Sequence, residues 1–97
     1  MISMNNSSDV LPALVSVAIE NSLNNISNTV CESVGNLLYE KYNSYFYNCL
    51  EHPEYLVDIL KIEFGDGYLS IIKTINKRLE EFSYQDPIKK FLLGINK

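Results

Sequence analysis

The sequence predicts an all-α domain, and three observations carry that prediction. Apolar residues recur in steps of three and four along the first half of the chain, at Leu11, Val15, Ile19, Leu23, Ile26, Val30, Val34, Leu37 and Leu38, with Tyr42 one step further. The second half is punctuated by residues that start and stop helices: Pro53, Gly65, Asp66-Gly67 and Asp86-Pro87. No segment shows the period-two alternation of a half-buried strand.

Taken in order, residues 1–8 are polar and unpatterned, so they are expected to be disordered, with Ser8 or Asp9 available as a cap and residues 9–97 forming a single helical domain. The first amphipathic helix is expected from about residue 11 to 42. At 1.5 Å per residue it is roughly 45 Å long, longer than so small a domain is wide, so part of it needs a partner. Its weak place is Asn24-Asn25 to Thr29, where Asn, Ser and Thr lower helix propensity, so the helix is either continuous or broken near Asn24-Asn25. Asn43 can end it in the left-handed conformation, and Ser44 can begin a short helix through Phe46, Cys49 and Leu50. His52-Pro53 opens the next helix, which puts Leu56, Ile59, Leu60 and Phe64 on one face and closes at Gly65. Another begins at Asp66 or Gly67 and buries Tyr68, Leu69, Ile72, Ile75, Leu79 and Phe82. After Ser83-Tyr84-Gln85, Asp86-Pro87 caps a terminal turn with Ile88, Phe91 and Leu92. The expected architecture is a small bundle with a long N-terminal amphipathic helix followed by three or four shorter ones.

A chain of 97 residues, 46% hydrophobic and 21% charged, has the composition of one folded domain with one core. Its net charge of −4 argues against generic binding to nucleic acid or anionic lipid. Charge is unevenly spread, however. Residues 1–71 carry two Lys against nine acids, whereas residues 72–97 carry six basic residues against three acidic ones, about +3. No apolar run approaches the ~20 residues of a membrane span. The N-terminus lacks the basic start and apolar core of a secretory signal, so a cytoplasmic location is expected, with Cys31 and Cys49 reduced.

Lys41-Tyr42-Asn43, Phe46, Leu50, Pro53-Glu54, Leu60, Phe64-Gly65, Gly67, Ile72 and Leu79 form a frame over residues 37–80. That frame resembles a family of small helical output domains from archaeal signal-transduction proteins. The family pattern reads Lys-Tyr-Gly, a short Leu-rich turn, Asn-Pro-Glu, a Leu-rich helix, Phe-Gly-x-Gly and a closing Ile-rich helix. Here Asn43 stands in place of Gly and His52 in place of Asn. Both substitutes suit the backbone, since Asn tolerates the left-handed region and a residue before Pro is driven extended. The resemblance implies a signalling module without known enzymatic activity.

Sites of chemistry are sparse. His52, the sole histidine, sits at a helix entry rather than in an evident catalytic group. Cys49 and His52 have a Cys-x-x-His spacing, but zinc needs two further ligands and Cys31 is the only other thiol. Glu51/Glu54, Glu54/Asp58 and Glu80/Glu81 read as solvated faces and helix-start charge. Phe64-Gly65-Asp66-Gly67 lacks the strand and the Lys of a phosphate loop. Lys73, Lys77, Arg78, Lys89 and Lys90 make a C-terminal basic edge that can meet phosphates, although Lys77 and Arg78 can pair with Glu80 and Glu81. Tyr39, Tyr42, Tyr45, Phe46 and Tyr47 cluster around the end of the first helix, and core packing and an interface account for them equally well. No catalytic residue, cofactor or metal ligand is expected.

The functional expectation is therefore a non-enzymatic interaction or signalling-output module that acts through protein–protein contacts. It would form a homodimer along the stripe Val15, Ile19, Leu23, Ile26 and Val30, where only Glu20 is ionisable between Val10 and Val30. The alternative is a nucleic-acid-associated regulator using the basic edge.

Overall fold

The computed structural model describes residues 6–97 and the side chains from Val10 onward. The expected disorder of residues 1–5 thus lies outside the described residues, but Asn6, Ser7 and Ser8 already belong to the first helix. The chain is all-α, with five α-helices and no strand among the described residues: α1 (Asn6–Asn24), α2 (Asn28–Tyr42), α3 (Pro53–Phe64), α4 (Tyr68–Leu79) and α5 (Asp86–Ile95).

The long first helix is two helices. After Asn24 the backbone turns at Asn25 and Ile26, and the amides of Ile26 and Ser27 close on the Leu23 carbonyl at 2.9 and 3.1 Å. Ser27 is fully extended, with φ −173° and ψ 155°, and its Oγ accepts the Val30 N–H at 3.0 Å. That side-chain cap satisfies a donor which a continuous helix would have bonded internally, so Ser27 restarts the helix with little loss. Beyond the joint, α2 packs back against α1.

Doubling back changes what the apolar stripe does. Val15, Ile19 and Leu23 have no exposed surface within the single chain. They pack with Val34 and Leu38 of α2, Leu56, Ile59 and Leu60 of α3, Ile71, Ile72, Ile75 and Leu79 of α4, and Ile88, Phe91 and Ile95 of α5. Each such burial stabilises the chain by roughly 1.5–3 kcal/mol. Val30 is half-buried, and Ile26, in the joint, is 52% exposed. Three of the five residues expected at a dimer interface are therefore in the protein's own core, because a broken helix buries its own stripe.

The punctuation of the second half falls close to its expected positions. Asn43 ends α2 at φ 54°, its N–H donating to the Tyr39 carbonyl at 2.8 Å. A single 3-10 turn, Phe46–Leu50, follows, and Asn48 Oδ1 rather than Ser44 caps it by accepting the Tyr45 N–H at 3.0 Å. Pro53 occupies the first turn of α3, and Gly65 terminates it at φ 57°. Residues Gly65–Gly67 form a 3-10 turn, so α4 begins at Tyr68, one or two residues later than the glycines suggest. On α4, Ile71 is buried and Leu69 exposed, which exchanges two neighbours of the expected face. The terminal segment is a ten-residue helix, α5, preceded by Gln85 with no side-chain cap, so Asp86 lies inside it. Asn76 and Asn96 exchange two side-chain amide bonds of 2.9 and 2.8 Å, fastening the end of α5 to α4. No described helix is long and apolar enough to cross a membrane.

Candidate functional site

The aromatic cluster divides into two structures, and Asn43 divides it. Its left-handed backbone stops α2 and turns the chain, so that Tyr45, Phe46 and Tyr47 come back beside the α2 face carrying Gly35 and Tyr39. Between this segment, α1 and α2 lies an open groove of about 680 Å³. Phe46 reaches toward Gly35, where an added Cβ would stand 3.6 Å from its ring. Tyr39, Tyr45 and Tyr47 line the groove and remain 50%, 62% and 46% exposed. The rings of Tyr39 and Tyr45 lie 5.5 Å apart and tilted by 38°. Three exposed tyrosines around one concavity are unusual for a surface with only packing to do.

The groove is also anionic. Glu20 from α1 and Glu32 from α2 line it, together with Ser16, Asn36 and Cys31, and no Lys or Arg does. Both carboxylates bear on the half-buried thiol of Cys31: burial raises its pKa most, and Glu20 and Glu32 raise it further. The nearest basic residue in sequence, Lys41, is tied elsewhere by Asp58, with Nζ 2.6 Å from Oδ2.

The second structure is a stack of three rings. Tyr55 lies parallel between Tyr42, at 4.1 Å and 8°, and His52, at 4.4 Å and 5°. The Tyr42 hydroxyl donates to Asp58 Oδ2 at 2.6 Å, and His52 Nδ1 is 3.2 Å from Glu54 Oε2. His52 makes no cap bond through its side chain and lies against α3 as a stacking group. It is not among the residues lining the neighbouring groove, which Leu50, Glu51, Pro53 and Glu54 share with Pro87, Lys90 and Leu93.

Cys49 and His52 do not form a ligand pair. The Cys49 thiol is buried and points to the Tyr45 carbonyl at 3.7 Å. Burial pushes its pKa up to about 12, with the Glu54 carboxylate adding to the effect. A thiol so protonated is a poor nucleophile. Among the described residues, no three His, Cys, Asp or Glu side chains are placed to hold a metal ion.

The basic edge does not line one site. Lys77 and Arg78 border a shallow depression with Leu14, Val17 and Glu81, whereas Lys90 lines the groove that also holds Glu51, Glu54 and Asp86. Lys73 and Lys89 are exposed on α4 and α5. The ion pairs among the described residues are Lys41–Asp58 and His52–Glu54, so Lys77 and Arg78 do not close on Glu80 and Glu81.

Sequence reasoning singles out the tyrosines but not Glu20, Glu32 and Gly35 as their companions. The signal available is Gly35 in the middle of a helix, a residue of low helix propensity that leaves the helix surface bare beside the Phe46 ring. Comparison with protein-family models, with curated proteins and with solved structures finds no match to the chain.

Proposed function

We propose that this chain is a non-enzymatic interaction module that works through protein–protein contact, with the tyrosine-lined groove between α1, α2 and residues 45–47 as its contact surface. The observation that carries this reading is the exposure of Tyr39, Tyr45 and Tyr47 around one concavity. Tyrosine offers large rigid contact area at small entropic cost, and a groove of several hundred Å³ accommodates the side chains of a short segment. The resemblance of residues 37–80 to signalling output domains supports the same class of role. Self-association along α1 has lost its main support, because Val15, Ile19 and Leu23 are buried in the core. Nucleic-acid binding is the weaker alternative, since carboxylates accompany Lys77, Arg78 and Lys90.

Selection of binders from a display library of random short peptides tests the reading. Peptides that bind should perturb the backbone amide resonances of Gly35, Tyr39 and Tyr45 and lose on the order of tenfold or more in affinity against Tyr45→Ala. Tyr45 is exposed, so this variant keeps its fold. Recovery of no binders, or binders that map away from the groove, would overturn the proposal.

A further inference from the structure

We infer that the groove takes a partner segment presenting an arginine beside an apolar side chain, an inference that rests on the interaction-module reading above. Three properties of the site converge on that occupant. Two walls carry carboxylates, Glu20 on α1 and Glu32 on α2, and both are solvent-exposed and without an ion-pair partner among the described residues. Tyr39, Tyr45 and Tyr47 supply aromatic surface in the same groove. Phe46 and Gly35 supply an apolar floor that bears no charge.

A guanidinium suits all three at once. It is planar and weakly hydrated, so it stacks on tyrosine faces at little desolvation cost, and its fork of donors matches a carboxylate. An ammonium would gain the charge attraction but is more strongly hydrated and lacks the flat face. An acidic segment or a phosphate would meet two carboxylates with no cation in the groove to offset them. Lys41 does not neutralise the site, being held by Asp58. The apolar neighbour follows from Phe46, whose ring lies against Gly35 and lines the groove as apolar surface.

The charge-swap form of the peptide selection decides it. Peptides selected on the full chain should be enriched in arginine next to an apolar residue. Replacing that arginine by glutamine should weaken binding about fivefold or more, and affinity should fall as salt rises. Glu20→Lys combined with Glu32→Lys should abolish binding of the arginine peptide and favour a peptide carrying glutamate in its place. Both carboxylates are exposed, so the double variant folds. Peptides that map to the groove without arginine enrichment, or that ignore the double variant, sink the arginine assignment and leave the interaction module standing. Recovery of no groove binders removes both. Sedimentation of the free protein supplies the remaining arm: a dimer dissolved by Glu32→Lys would assign the groove to Arg78, the chain's one arginine, on a second copy, and would overturn a separate partner.

Discussion

The Tyr42 hydroxyl donates to Asp58 across 2.6 Å and so ties the last residue of α2 to the middle of α3. Lys41 donates to the same oxygen at the same distance. These two bonds, Lys41 first and Tyr42 second, hold the Asp58 carboxyl below its usual range, and the backbone amide and then His52 do the same for Glu54. A folded-state pKa below the unfolded one means that the unfolded chain binds more protons in the window between them. The stabilisation is therefore complete above the ordinary range and lost as pH falls through the depressed values. Urea unfolding should show stability dropping below about pH 4, and Asp58→Asn should shrink that drop. An acid limb unaltered by Asp58→Asn rejects the linkage. Because the Asp58 side chain is 36% exposed, Tyr42→Phe should cost only roughly 0.5–1 kcal/mol.

Gly94 and Pro53 set how closely α5 meets the start of α3. A Cβ on Gly94 would fall 2.5 Å from Pro53 Cγ and 2.9 Å from its Cβ, and a pyrrolidine ring cannot swing aside. Gly94→Ala should therefore cost roughly 1–3 kcal/mol although alanine is the better helix former. Pro53→Ala in the same background should recover part of the loss. A denaturation midpoint unmoved by Gly94→Ala would contradict the contact.

Two other glycines should respond in opposite directions. Gly35 is helical with ordinary contact distance to Phe46, so Gly35→Ala should raise stability by about 0.5–1 kcal/mol. Gly65 stands at φ 57° and ψ −134° with open space around it, so its constraint is the backbone alone. Gly65→Val should lose on the order of 1 kcal/mol or more. Thermal unfolding of the two variants beside the parent separates these outcomes.

The joint between α1 and α2 is checked by a pair of substitutions on the former stripe. Ile19→Glu places a carboxylate in the core and should remove about 4 kcal/mol or more, enough to unfold much of a small domain. Ile26→Glu, at the exposed turn, should change stability by no more than about 0.5 kcal/mol. Circular dichroism in urea reads both, and comparable effects at the two sites would mean that α1 and α2 are continuous.

The thiols should label in two stages. Cys31, half-buried with its pKa raised, should react slowly with a disulfide reagent at neutral pH in the native state. Cys49 should react only as the chain unfolds, its labelling rate following denaturant. Rapid native labelling of both would show that the turn at Phe46–Leu50 is loose.

Elements marked by their own local chemistry are legible in the amino-acid sequence. Pro53, Gly65 and Asn43 act through backbone angles that the residues themselves prefer, and each falls at its expected helix end. The joint at Ser27 is half legible: weak propensity marks Asn24-Asn25 to Thr29 as the place for a break, but Ile26 and Val30 keep the apolar phase running through it, and periodicity does not register a bend that preserves phase. The exchange of Leu69 for Ile71 has a similar origin: both are apolar, and the helices packed against α4 decide which one faces inward. The groove is legible only as an excess of tyrosine. Which rings turn outward depends on the chain reversal after Asn43, and Glu20 joins them only because α1 folds back, a contact between residues far apart in sequence.

The division of the tyrosines has an optical consequence. The chain has seven tyrosines and no tryptophan, so nothing masks tyrosine emission or its near-ultraviolet dichroism. The Tyr42–Tyr55 stack is held rigidly and should dominate the dichroic signal, whereas Tyr39, Tyr45, Tyr47 and the still more exposed Tyr84 should account for collisional quenching by iodide or acrylamide. Occupation of the groove would then shield Tyr39, Tyr45 and Tyr47 and leave Tyr84 and the stack unchanged. The protein thus carries its own unlabelled reporter of what it binds, one that separates occupancy from unfolding in a single cuvette.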